Sequence, residues 1–147
     1  MTLKTYNGFD HNARMKALYW LRREYAAGRR TKPLICDACG QTEQPITAHS
    51  EDYSDPFGDH IGKHGLCYRC HLMIHCRFKA PEAWETYKLH IRQGRIFVPI
   101  SNFQVFCGQT LSAKGRNVPF KQGPVRERTL LDDLQMPPAA ATFFDSQ

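Results

Sequence analysis

Residues 36–40 read CDACG and residues 66–75 read LCYRCHLMIH, and these two stretches decide how the chain folds. Each carries a Cys-x-x-Cys hook, Cys36/Cys39 and Cys67/Cys70, with 27 residues between the hooks. Four thiolates at that spacing match one tetrahedral zinc site, which fastens together two places distant along the chain. The second hook runs directly into His71-x-x-x-His75. Disulfides or a redox pair are the competing uses of such cysteines. The N-terminal MTLKTYNGFDH lacks the apolar centre of a secretory leader, and no stretch approaches the about 18 apolar residues of a membrane span. The expectation is a cytoplasmic, reducing setting with no membrane partner, in which paired hooks favour zinc.

At 147 residues and 41% hydrophobic content, the chain suits one modest domain with extensions and a small core, for which a metal is an effective staple. The net charge of +6 is unevenly placed. Residues 1–32 are locally +6, residues 33–76 are locally −4, and residues 77–147 are locally +4. An acidic, histidine-rich centre between basic flanks suits a metal-dependent site acting on a polyanion such as DNA. Charge that merely keeps the protein in solution is the plainer account.

Outward from the hooks, the periodicity predicts a helix over 12–27, with Met15, Leu18, Leu21 and Tyr25 on one side and Gly28 ending it. Residues 45–49 (PITAH) read as a short strand. Residues 50–64 (SEDYSDPFGDHIGKH) read as loop, from Asp-Pro, two glycines and clustered acids. A short helix is expected over 68–77. Another begins at Pro81 and runs to about Arg92, with Trp84, Tyr87 and Ile91 as its apolar stripe. RIFVPI (95–100) reads as an edge strand. Residues 107–128 show no period and read as loop or arm, residues 129–135 as a turn or two of helix, and Phe143-Phe144 as a docking element. The expected fold class is a small α+β protein: a basic helical extension (1–32), a zinc-stapled core (33–80), a helix and edge strand packed on it (81–100) and an irregular C-terminal arm (101–147).

The order of hook, strand ending in His49, loop, hook and histidine-bearing helix resembles the HNH, or ββα-metal, endonucleases in their zinc-stapled form. CDACG (36–40), ITAH (46–49) and LCYRCHLMIH (66–75) carry the likeness, which spans about residues 33–80. The resemblance implies a β-hairpin and a helix that clamp one divalent cation, with His49 as general base and His71 as metal ligand. Two positions depart from the family pattern. Ala48 stands where many members place a metal-binding Asp or His, and no Asn lies between His49 and Cys67 to brace the hairpin loop. His60 and His64 are the candidates for that bracing role, with Asp59 a third.

The chemistry of the residues agrees with these expectations. Phosphodiester hydrolysis needs a water deprotonated in line with the leaving oxygen and a cation to neutralise developing charge. Histidine is the side chain whose ordinary pKa lies nearest neutrality, so a residue of the His49 type is suited to take that proton. His71 and His75 lie four apart on a helix and so share a face, where they can hold one metal. Imidazoles admit manganese and related ions, while a carboxylate from Asp59, Asp52 or Asp55, or less favourably Glu51, improves magnesium binding. His60, His64, His71, His75 and Cys76 also permit a second structural zinc. Phosphate contacts are expected from Arg14, Arg22, Arg23, Arg29 and Arg30 on and after the first helix, and from Lys63, Arg69, Arg77 and Lys79 around the site. The sequence-based expectation is an HNH-type, metal-dependent DNA endonuclease with structural Zn2+ and catalytic Mg2+, Mn2+ or another divalent cation, with DNA as partner and a homodimer as the form that would cut both strands. The alternatives are a catalytically silent zinc module that binds DNA and a zinc-stapled protein-interaction module.

Overall fold

The computed structural model describes residues 2–100 and 118–136. It is a small α+β protein; the described residues form three α-helices, two two-stranded antiparallel sheets and a buried cysteine cluster. The chain runs through α1 (His11–Ala26), β1 (Thr47–His49), β2 (His64–Leu66), α2 (Tyr68–Cys76), α3 (Pro81–Arg92), β3 (Arg95–Phe97), β4 (Phe120–Gln122) and a 3-10 turn over Leu130–Asp133.

Local chemistry explains where the helices begin. Asp10 caps α1 by accepting from the Ala13 amide at 2.9 Å, and Pro81 opens α3, where its missing N–H costs nothing. The cap of α2 is Cys67, whose Sγ accepts from the Cys70 amide at 3.4 Å. One residue thus starts the helix and belongs to the cysteine cluster.

Two apolar clusters hold these elements. The larger surrounds the hooks with Leu66, Met73, Ile74, Trp84, Tyr87, Ile91, Phe97 and Leu131. The smaller seats α1 on the hairpin through Ala17, Leu21 and Ile61, with Trp20, Ala48, Tyr53 and Phe57 beside them. No helix among the described residues is long and apolar enough to cross a membrane.

Three expectations change. The segment read as loop over 50–64 ends inside β2, which pairs Thr47 with Leu66, Ala48 with Gly65 and His49 with His64. The strand expected over 95–100 stops at Phe97. Part of the presumed arm belongs to the body: β4 pairs with β3, and Val118 and Leu131 are buried in the main cluster. Three-residue strands are too short to leave a period in the sequence. The Phe143-Phe144 element lies outside the described residues.

Candidate metal centres

The first centre is the cysteine cluster. The four Sγ atoms of Cys36, Cys39, Cys67 and Cys70 all lie within 4.8 Å of one another, and every one of these residues is buried. Cys39 Sγ and Cys67 Sγ are 3.8 Å apart. A tetrahedron of zinc–sulfur bonds about 2.3 Å long separates its sulfurs by about 3.8 Å, so this donor set fits the ion. In each hook a backbone amide points at the first sulfur: Cys39 N to Cys36 Sγ at 3.5 Å and Cys70 N to Cys67 Sγ at 3.4 Å. Tyr87 OH meets Cys70 Sγ at 3.1 Å. Hydrogen bonds from Cys39, Cys67 and Cys70 depress the Cys36 thiol, while bonding to that thiolate and burial raise Cys67 and Cys70 well above the usual range. Four thiolates packed this closely repel one another and call for a metal.

The hook is tied to the hairpin by two bonds. Asp37 N donates to Gly65 O at 2.8 Å, and Gly65 N donates to Asp37 Oδ2 at 2.7 Å. This is how the staple sets the position of β1 and β2 relative to α2.

The second centre lies where β1 faces α2. Strand alternation puts Thr47 and His49 on one face, and the four-residue helical spacing puts His71 and His75 on the face opposite. The rings of His49, His71 and His75 are 4.9 to 5.2 Å apart, centroid to centroid, and each can offer a nitrogen within 4.8 Å of the others. Ala48 points the other way and packs with the α1 cluster.

Two of the imidazoles have a defined free nitrogen. His49 is 2% exposed. Its Nε2 meets Glu51 Oε2 at 2.5 Å, while its Nδ1 is buried with no hydrogen-bond partner among the described residues. His71 Nδ1 is 2.8 Å from Thr47 Oγ1, which donates its own proton to Leu66 O at 3.2 Å. The Thr47 oxygen therefore accepts Nδ1–H, leaving the lone pair of His71 on Nε2. Burial, reinforced by neighbouring positive groups, lowers His71 to about 4 and His75 to about 3. Both are neutral, the ligand form, at neutral pH. An orphaned nitrogen and two neutral imidazoles are a donor set suited to a divalent metal such as zinc.

Glu51 anchors a buried network behind His49. Arg77 Nη2 donates to Glu51 Oε1 at 2.9 Å, Arg77 Nη1 donates to Tyr6 OH at 2.8 Å, and Tyr6 OH donates to Glu51 Oε2. Burial pushes the Glu51 carboxyl up, but hydrogen bonds from His49 and Tyr6 and the Arg77 charge outweigh it and hold the group at about 2. A carboxylate fixing the far nitrogen of an imidazole is the usual second layer of a histidine metal or acid–base site.

The other sequence-predicted residues are distributed as follows. Asp59 is exposed and stands outside the three-histidine group; the carboxylate that reaches it is Glu51, through His49. His60 Nε2 donates to Ser54 O at 2.7 Å, within the loop between β1 and β2. His64 is the strand partner of His49, with its protonation depressed mainly by burial. Arg22, Arg23, Arg29, Lys63 and Lys79 are exposed, Arg29 in an ion pair with Glu24. Arg14 and Arg30 are half-buried, and Arg30 donates to Ile61 O at 2.5 Å. Arg69 and Arg77, expected on the rim, are 4% and 0% exposed. Arg69 donates to Val98 O, and Arg77 serves Glu51, Tyr6 and the Ile74 carbonyl. Buried hydrogen-bonding duties remove these two from the surface.

Sequence reasoning missed Thr47 and Tyr6 and placed Glu51 below the aspartates. Thr47 could have been found, since it shares the strand face of His49. Tyr6 is 43 positions from His49, and nothing local signals it. No family model, curated protein or solved structure matches the chain.

Proposed function

We propose that this protein is a metal-dependent DNA endonuclease of the HNH type, which hydrolyses phosphodiesters where β1 faces α2. The observation that carries this is the convergence of His49, His71 and His75, with His49 held by a carboxylate on one nitrogen and free on the other. A β-hairpin followed by a helix, set in register by a four-cysteine cluster, supports the resemblance to that family.

His71 and His75 are the residues suited to hold the divalent cation, which when bound supplies charge neutralisation at the scissile phosphate and a more acidic water. The protein's own contribution is a poised base. Glu51 accepts the Nε2 proton of His49, so Nδ1 carries the lone pair that takes a proton from the attacking water. Once His49 is protonated, the Glu51 carboxylate stabilises the imidazolium, and Tyr6 and Arg77 keep that carboxylate in place. Exposed Arg22, Arg23, Arg29, Lys63 and Lys79 are the side chains available to hold the DNA backbone.

A second reading has an observation of its own. The three histidine nitrogens are mutually close enough for His49 to be a third ligand, making a non-catalytic three-histidine centre in a DNA-binding zinc module. Cleavage of plasmid DNA with magnesium or manganese, run beside metal titration of the same samples, separates the two. For a base, His49→Ala lowers cleavage by about 10²–10⁴-fold and leaves metal affinity nearly unchanged. For a ligand, the substitution weakens the metal itself. Intact DNA from wild-type protein with every metal tried rejects the nuclease assignment.

A further inference from the structure

A cavity of about 410 Å³ lies between α1 and the hairpin and opens onto His49 and His71. Its size falls in the range of about 300–1,000 Å³ typical of small-ligand sites. The walls have two characters. Leu18, Leu21, Ile46, Ala48 and Ile61 give an apolar interior with Tyr25 and Tyr53 beside it, while Arg14, Arg22 and Lys32 place three cations around it.

Arg14 stands at the junction with the histidines. Its guanidinium carbon is 5.3 Å from the centre of the Tyr53 ring, and its Nη1 is fixed by Lys4 O at 2.6 Å. Its Nε is buried with no hydrogen-bond partner among the described residues. The guanidinium carbon is also 5.5 Å from the centre of the Tyr6 ring, which lies 5.7 Å from the ring of His49 and 4.7 Å from that of His75.

We infer that this cavity receives one unpaired nucleotide of the DNA, base against the apolar wall and phosphate at the Arg14 end beside His49 and His71. The chemistry suits that class: a flat aromatic group fits the Leu18–Ile61 interior, an anion joined to it meets Arg14, and Arg22 and Lys32 add positive potential farther along the wall. A base still paired in a duplex cannot enter such a recess without being unstacked, whereas single-stranded DNA offers it freely. The inference rests on the endonuclease proposal and adds a substrate class, single-stranded or locally unpaired DNA.

Two measurements on the full zinc-loaded chain test it. The first is an amide-resolved NMR titration with deoxyadenosine monophosphate, with inorganic phosphate as control and no second metal added. The mononucleotide is expected to shift Leu18, Arg22, Ala48 and Ile61, and phosphate alone to shift only the Arg14 end. Leu18→Trp, which fills the cavity, and Arg22→Glu, which reverses a surrounding charge, should each abolish or weaken the mononucleotide shifts. Equal effects from phosphate and mononucleotide, or no shifts near Leu18 and Ala48, overturn the inference. The second compares cleavage of single-stranded and fully paired DNA of one sequence, expected to favour the single strand by about tenfold or more. Equal rates on both overturn the inference and leave the nuclease proposal standing. Mononucleotide binding at Leu18 and Ala48 without cleavage of any DNA keeps the pocket and rejects the nuclease.

Discussion

Nε2 of His49 stands 2.5 Å from Oε2 of Glu51, only two residues further along the chain. That contact occupies one nitrogen, and Nδ1 has no hydrogen-bond partner among the described residues. Glu51→Gln keeps the shape of the side chain and removes its charge. Cleavage should fall by about 10–100-fold, with zinc content unchanged. A rate equal to wild type in single-turnover assays would show that the carboxylate only packs.

The cysteine centre should carry folding and not chemistry. Structural zinc binding of this kind is worth about 10–16 kcal/mol in small metal-dependent domains, and that binding energy is largely folding energy. Chelation, or Cys70→Ala, should therefore abolish the cooperative thermal transition seen by circular dichroism. One tightly held zinc per chain is expected, retained when His71 and His75 are both replaced by Ala. Loss of that zinc in the double variant would mean that the histidines share the structural metal.

Arg77 shows how a charged residue can be misread from sequence. It carries four donor contacts: to Glu51, Tyr6, Ile74 and Gln135. Arg77→Ala strips the buried carboxylate of its cation, which costs about 3–5 kcal/mol. Denaturant unfolding should show this loss, whereas a surface phosphate-binding role would leave stability unchanged and lower only DNA affinity.

The same contrast marks what the sequence makes legible. Hook spacing, the shared face of His71 and His75, and the apolar stripes of α1 and α3 are local periodic signals, and they place the scaffold and two members of the site. Glu51 is not distinguishable from Asp52, Asp55 or Asp59 by spacing, because which acid turns inward depends on where Tyr6 and Arg77 arrive. Arg69 and Arg77 look like surface cations because their carbonyl and carboxylate partners come from distant segments. The strands β2 and β4 are set by pairing with β1 and β3, which a three-residue stretch does not announce.

Acid should weaken the fold before it reaches the carboxylates. His71 and His75 have folded pKa values of about 4 and about 3, below the ordinary value of 6.5. The unfolded chain thus takes up these protons first, so the stability is fully present above about 6.5 and is lost as the pH falls towards 4. Denaturant midpoints of zinc-loaded protein without a second metal should drop between about pH 7.5 and about pH 5.5, and His75→Gln should flatten the slope. An unchanged slope in that variant would place His75 in solvent.

The role of His49 as general base is tested most directly by single-turnover DNA cleavage in manganese by wild-type protein and His49→Ala, with metal affinity measured on both. Wild-type protein should cleave, the variant should lose about 10²–10⁴-fold, and manganese binding should be nearly equal in the two. Cleavage that survives His49→Ala at the wild-type rate would contradict that role.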